Sequence, residues 1–80
     1  MPYIKYDRDG LASGFIDPDN AGELNFVITS TLLRYLGHGA DYAAFNEVIG
    51  VLECAKLEMY RRMIAPYEDK KIEENGDVYA

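Results

Sequence analysis

The chain has 80 residues, a net charge of −6, one cysteine and one histidine. A chain this short buries a thin core, because the fraction of surface removed from water rises with chain length. One cysteine excludes an internal disulfide, and a single histidine far from it offers no metal-ligand spacing, so we expect neither a metal nor a cofactor. The remaining way to stabilise a small chain is self-association, which predicts a homo-oligomer.

The charge is concentrated at the two ends of the chain. Residues 66–80 carry about −3, whereas residues 23–65 carry about −1. Duplex nucleic acid is therefore not an expected partner, because phosphate binding needs a basic surface. No apolar run is long enough to span a membrane, and the start of the chain lacks the apolar segment of a signal peptide. We expect a cytoplasmic protein without a membrane partner.

Residues 1–21 are predicted to form an arm. Gly10, Gly14 and Pro18 interrupt regular structure there, but several apolar side chains give the segment something to pack. We expect an extended arm with at most a short turn of helix. A disordered terminus is the alternative.

Residues 22–36 are predicted to form the first main helix. Asp19 or Asn20 supplies an N-cap, Glu23 follows at capping-box distance, and Gly37 ends the helix. One apolar face comprises Leu24, Val27, Ile28, Thr31, Leu32 and Tyr35. The β-branched run VITST favours a strand locally, but adjacent apolar residues break the alternation that a strand requires.

Residues 41–65 are predicted to form a long second helix. Asp41 is its cap and Pro66 its end. One face comprises Phe45, Val48, Ile49, Leu52, Ala55, Met59, Tyr60 and Met63, and a second stripe comprises Ala44, Val51, Leu57 and Ile64. The helix would be about 37 Å long, more than a globule of this size spans. The excess length and the second stripe predict a partner chain, most simply another copy.

Gly50 lies in the middle of this helix, where glycine costs about 1 kcal/mol relative to alanine. Two interpretations are open. The glycine allows another helix or a ligand to come close, or it permits a tight helix crossing within the chain.

Residues 66–80 form an acidic C-terminal extension. Tyr67 to Glu74 is predicted to be a short helix, and Asn75-Gly76 is a typical helix stop. Val78 and Tyr79 would then turn back onto the body of the protein. A solvated tail is the alternative.

The candidate ligand-binding residues lie in and just beyond the long helix. Glu53, Lys56 and Tyr60 share one ridge, and we expect Glu53 to pair with Lys56. Arg61 and Arg62 are within reach of Glu58, and bidentate arginine suits phosphate. The chain's seven tyrosines suit interfaces and stacking on bases. The predicted ligand-binding set is Glu53, Lys56, Tyr60, Arg61, Arg62 and Tyr67. An ordinary solvated helix face with internal ion pairs is the alternative.

Catalytic motifs are missing from the sequence. Ser13, Ser30 and Cys54 have no histidine at a motif spacing, and no glycine-rich phosphate loop follows a strand. The segment DPDNAGE lacks the full ligand pattern of a calcium loop, which favours a helix cap. We therefore expect a protein that is not an enzyme. A small hydrolase is the least favoured of the alternatives.

Three stretches stand out as blocks: MPYI at the start, GELNFVIT in the first helix, and NEVIGVLECAKLEMYRRMIAPYEDKKIEENGDVY near the end. In these blocks the chain resembles a family of small proteins of unknown function from bacteriophages, prophages and bacteria. Residues 5–21 depart from that family, in which a short polar helix tends to occupy the region. The resemblance implies no catalytic residue, and it implies that the C-terminal extension belongs to the domain.

Together these observations predict a single all-α domain, residues 1–80, with two main helices, a packed arm and a C-terminal extension, assembled as a homo-oligomer. The expected function is that of a phage-type protein which binds a small anionic ligand. More concretely, we expect the protein to sequester a nucleotide-derived host defence signal between subunits in the host cytoplasm. The alternative is an acidic inhibitor or adaptor that binds a host protein.

Overall fold

The computed structural model describes residues 2–79, and within that range every regular element is helical. The elements are α1 (Arg8–Ser13), α2 (Ala21–Leu36), α3 (Tyr42–Met59), a π-helical turn (Tyr60–Ile64) and α4 (Ala65–Asn75). The predicted all-α class is confirmed. The chain divides into two compact units between Phe45 and Asn46, which are described separately.

In the first unit, α1 packs against α2. Leu11 of α1 is buried, with 1% of its surface exposed. The guanidinium carbon of Arg8 lies 5.6 Å from the centroid of the Phe26 ring, within the range of a cation–π interaction. Leu11 therefore packs, as predicted for the arm, whereas Tyr3, Tyr6 and Phe15 are exposed. The arm also differs from the predicted extended segment, because it contains a helix of six residues.

A tight turn closes α1. The carbonyl of Gly10 accepts hydrogen bonds from the backbone N–H groups of Phe15 and Ile16, at 2.9 and 3.1 Å. A Cβ atom on Gly10 would lie 2.4 Å from Cδ1 and 2.8 Å from Cγ1 of Ile16. A side chain at position 10 would therefore force the Ile16 side chain to shift.

The sequence signals for both ends of α2 and for the start of α3 are confirmed. The Asn20 side chain accepts a hydrogen bond from the Glu23 N–H at 2.9 Å, and the Glu23 carboxylate accepts one from the Asp19 N–H at 3.1 Å. The Gly37 N–H donates to the Leu33 carbonyl as α2 ends. Asp41 caps α3 by accepting from the Ala44 N–H at 2.9 Å.

The prediction that Pro66 ends the long helix is wrong. The helical backbone continues from α3 through the π turn into α4, and Pro66 occupies the first turn of α4. A proline removes one N–H and its ring clashes with the carbonyl four residues earlier. The wider π turn, in which the Ala65 N–H donates to the carbonyl of Tyr60 five residues earlier, accommodates the ring without ending the helix.

Most large apolar side chains of the second unit are exposed. Val48 is the buried apolar residue there, with 7% exposure. The exposed ones among the described residues are Ile49, Val51, Leu57, Met59, Tyr60, Met63, Ile64, Tyr67, Ile72, Val78 and Tyr79. Burial within this unit therefore does not explain the apolar character of its helices.

Gly50 is surrounded by open space. Apart from its chain neighbours and the nearby backbone of its own helix, no atom of the second unit lies within 4 Å of a Cβ built on it. A tight helix crossing inside this unit therefore does not explain the glycine. Its close approach to another chain or to a ligand stays a prediction.

The C-terminal extension turns back after α4. Gly76 adopts a φ of 92° and its N–H donates to the Ile72 carbonyl at 2.8 Å. The carboxylate of Asp77 then accepts from the Tyr79 N–H at 2.8 Å. Residues 76–79 line one open groove together with α4, but Val78 and Tyr79 are 92% and 95% exposed, so the predicted packing of these two residues onto the body stays a prediction. No helix within residues 2–79 is both long and apolar enough to cross a membrane.

Candidate functional site

The predicted ion pairs of the candidate site are present. The Lys56 ammonium lies 3.2 Å from a Glu53 carboxylate oxygen. Both arginines reach Glu58: Arg61 lies at 2.8 Å and Arg62 at 3.7 Å. The three cationic side chains are 69–72% exposed. Exposed pairs of this kind contribute little to stability, so their cations stay accessible to other anions.

These cations do not converge on one pocket within the second unit. Lys56 belongs to α3, while Arg61 and Arg62 are neighbours in the π turn and point to different sides of the helix. Tyr67 is occupied from within its own helix, because the Lys71 ammonium lies 5.6 Å from its ring centroid. A shared anion site therefore requires groups from outside this unit.

Tyr60 and Glu68 form the most specific side-chain contact of the second unit. The Tyr60 hydroxyl donates a hydrogen bond to the Glu68 carboxylate, eight residues further along the chain. In a regular α-helix, two turns take about seven residues. The π turn from Tyr60 to Ile64 takes one residue more, which brings residues 60 and 68 to the same side of the helix.

This contact perturbs the acidity of the phenol. The hydrogen bond to Glu68 raises the pKa of Tyr60, and the negative charge of Glu68 raises it further. Smaller contributions come from burial, from Asp69 and from Tyr79. The hydrogen bond and the neighbouring negative charges all favour the neutral, hydrogen-bond-donating form of the phenol.

An open groove of about 590 Å³ lies between α4 and the C-terminal extension. Its lining residues are Tyr60, Ala65, Glu68, Asp69, Lys71, Ile72, Asn75, Gly76, Asp77, Val78 and Tyr79. Three acidic side chains face one lysine, and that lysine is already paired with Glu74 at 3.2 Å. The groove therefore favours cationic groups over an anionic ligand.

Of the six predicted site residues, only Tyr60 lines this groove. Sequence analysis did not single out Glu68 as the partner of Tyr60, since an eight-residue spacing does not match α-helical periodicity. The Asn75-Gly76 stop did indicate that the chain reverses. The signal that could have identified the contact was Pro66 inside an otherwise continuous helical pattern, because a proline inside a helix disturbs its regular hydrogen bonds.

The comparisons with known proteins give a family and no function. No curated protein and no solved structure matched the chain. A family model described as a domain of unknown function, DUF6899, matches residues 1–78. That match spans the first unit and all but the last two residues of the second, and the chain therefore belongs to the DUF6899 family.

Proposed function

We propose that this protein is a non-enzymatic binding protein for a small anionic, nucleotide-like ligand, held between copies of the chain. If a phage encodes the protein, its concrete role would be to sequester a nucleotide-derived defence signal in the cytoplasm of the host cell. No catalytic residue is part of the proposal. The proposed ligand contacts are Lys56, Arg61 and Arg62, with the rings of Tyr60 and Tyr67.

The observation that carries the proposal is the joint exposure of cations and apolar side chains along one helical segment. Arg61 and Arg62 are 72% and 69% exposed, and Met59 and Met63 in the same segment are 58% and 64% exposed. An exposed apolar surface of this kind is typical of an interaction site. Cations beside it would be partly shielded from water once it is covered, which strengthens their attraction for an anion.

The residue types suit a phosphate-containing ligand. A guanidinium binds phosphate through two parallel hydrogen bonds, and an aromatic ring stacks on a nucleobase. Glu58 holds both arginines in exposed ion pairs, which an incoming phosphate can replace at little cost. The overall charge of −6 opposes anion binding, so the proposal requires the cations of more than one copy.

Titration calorimetry on the full chain tests this function. The probes are cyclic dinucleotides and cyclic ADP-ribose isomers, with inorganic phosphate as the reference. We expect one probe to bind, and Arg62→Ala to weaken that binding at least about tenfold, because a lost charge-assisted contact is worth about 1.5–3 kcal/mol. The matched control is Arg34→Ala, which removes the same charge from α2. Heat changes no larger than those of phosphate for every probe would exclude the function.

The groove supports a second candidate function, that of an acidic adaptor or inhibitor which binds a basic host protein. Glu68, Asp69 and Asp77 face the groove beside exposed Val78 and Tyr79. Acidic and apolar groups together suit a partner segment that contains lysine or arginine.

Neutralising the groove distinguishes this function from ligand binding. The variant Glu68→Gln, Asp69→Asn, Asp77→Asn should lose a stoichiometric protein partner, whereas a Glu73→Gln, Asp9→Asn, Asp17→Asn variant with the same net charge should keep it. If both variants capture the same partner equally well, the groove is not the binding surface.

A further inference from the structure

The dipeptide Asn75-Gly76, at which α4 ends, places a reactive side-chain amide next to a residue without a side chain. Asparagine is a thermally labile residue, because the backbone nitrogen of the following residue can attack its side-chain carbonyl carbon. Glycine has no Cβ atom to obstruct that attack. Of the asparagines in the chain, only Asn75 precedes a glycine, whereas the others precede Ala21, Phe26 and Glu47. The sequence therefore distinguishes Asn75 chemically from the other asparagines.

The turn that ends α4 favours a glycine at position 76. Gly76 adopts a φ of 92° and a ψ of 148°, a combination that is open to glycine and strained for residues with a side chain. The residue that allows the helix to end in this turn is therefore also the residue that leaves the Asn75 amide open to attack.

Water and base reach this dipeptide from the surface. Asn75 and Gly76 are both exposed. Apart from the two chain neighbours of Gly76, no atom of the second unit lies within 4 Å of a Cβ built on it. Asn20 differs in this respect, because its side chain is held by two hydrogen bonds with Glu23. Nothing in the second unit therefore blocks the approach of the Gly76 nitrogen to the Asn75 side chain.

One backbone hydrogen bond slows the attack in the folded chain. The Gly76 N–H donates to the Ile72 carbonyl at 2.8 Å, and the nitrogen must lose this bond and its proton before it can react. Asn75 must also leave its helical backbone conformation. The bond lies at the end of a helix, where fraying costs little free energy. We expect a bond of this kind to slow the attack by roughly two- to tenfold relative to the unfolded chain.

We infer that Asn75 is a site of spontaneous deamidation whose rate is controlled by fraying of the last turn of α4. The deprotonated Gly76 nitrogen forms a bond to Cγ of Asn75, and the bond from Cγ to the side-chain nitrogen breaks. That nitrogen takes up a proton and leaves as ammonia. Water then opens the cyclic imide at one of its two carbonyl carbons, which gives aspartate or isoaspartate.

Deamidation adds a negative charge to a groove that is already acidic. Asn75 lines the groove together with Glu68, Asp69 and Asp77, and it lies at the C-terminal, negative end of the α4 dipole. Isoaspartate also lengthens the backbone, which displaces the hydrogen bond that ends α4. The product should therefore loosen the last turn of the helix. The inference is independent of the proposed function, because no ligand takes part.

Mass spectrometry of the full chain tests the site. The protein is incubated in mildly alkaline buffer, and the acid form of each asparagine is measured over time. Asn46 is the matched control, because it is also an exposed helical residue of the second unit but precedes Glu47. We expect Asn75 to convert several-fold faster than Asn46, and Asn75→Gln to abolish the fast conversion. A rate at Asn75 no higher than that at Asn46 would overturn the inference.

The same measurement in concentrated urea tests the control by the helix end. Unfolding removes the hydrogen bond to Ile72, so we expect conversion of Asn75 to accelerate by roughly two- to tenfold. Equal rates with and without urea would show that fraying of α4 does not control the reaction.

The variant Asn75→Asp measures the effect of the added charge. We expect its equilibrium constant for unfolding in urea to rise by roughly two- to fivefold, because the carboxylate lies at the negative end of the helix dipole. Asn46→Asp adds the same charge near the N-terminal end of α3 and should not raise that constant. An equal rise in both variants would contradict the predicted loosening of α4.

Discussion

Tyr60 donates a hydrogen bond to the carboxylate of Glu68 across eight residues of continuous helix, a spacing that an unbroken α-helix does not align. The π turn between the two residues aligns them, and Pro66 accounts for the π turn because its ring does not fit a regular one. One proline thus determines the register of the helix, the acidity of a phenol and the position of the groove.

Removing the charge of Glu68 should lower the pKa of Tyr60. Glu68→Gln keeps the size of the side chain but eliminates the negative charge, which together with the hydrogen bond is the main cause of the raised pKa. The tyrosinate signal of Tyr60 in ¹³C-labelled protein, followed by NMR as pH rises, reports the change. Glu73→Gln is the matched control, and an equal shift in both variants would show that the contact with Glu68 is not responsible.

The raised pKa of Tyr60 also predicts how stability depends on pH. In the unfolded chain the phenol loses its proton near pH 10, whereas the folded chain retains it to higher pH. The unfolded state therefore binds fewer protons in that window, and the free energy of unfolding falls as pH rises above about 10. The free energy of unfolding in urea is measured against pH for the unmodified protein and for Tyr60→Phe. The difference between the two profiles is the contribution of Tyr60, because the lysines contribute to both. Parallel pH profiles for the two proteins would contradict it.

Pro66→Ala should convert the π turn into regular α-helix. The new N–H restores the missing hydrogen bond and the ring no longer needs the wider turn. Residues 67–75 then rotate by about 100° relative to α3, which separates Tyr60 from Glu68. We expect helical circular dichroism to be kept or increased while the pKa of Tyr60 returns towards its ordinary value. A pKa that stays raised would mean that the π turn does not depend on the proline.

Gly50→Ala should stabilise the protein by about 1 kcal/mol, since alanine is the better helix former and no described atom crowds the position. Gly76→Ala is the contrasting variant, because its φ of 92° is unfavourable for alanine and predicts a loss. Urea unfolding at one fixed chain concentration measures both changes. Weakened self-association in Gly50→Ala would instead show that another chain lies against this glycine.

Gly10→Ala should destabilise the first unit by about 1 kcal/mol, because the new methyl group overlaps the Ile16 side chain. Ile16→Ala removes the overlapping atoms, so the double variant should lose less stability than the sum of the two single variants. Urea unfolding of the four proteins in this cycle gives the coupling free energy. Simple additivity would show that Ile16 avoids the methyl group by rotating away.

Local signals in the sequence predicted most of the individual elements. The caps at Asn20 and Asp41, the stop at Gly37 and the reversal after Asn75 each depend on side chains within a few residues of the helix end. The pairs Glu53–Lys56 and Glu58–Arg61 likewise follow from the three-residue spacing of one helix face. These short-range interactions form whenever the helix forms, because both partners lie on the same helix.

Sequence by itself determined the all-helical class, the helix ends other than the one expected at Pro66, and the surplus of apolar surface on the last helical segment. Only the tertiary structure decided what Pro66 does, because a proline can either end a helix or widen one turn of it, and the surrounding packing selects between these outcomes. The two outcomes differ in how the residues after Tyr60 are rotated about the helix axis. That rotation decides which residue the Tyr60 phenol contacts, where the acidic groove lies and on which side of the helix Met63 and Tyr67 lie.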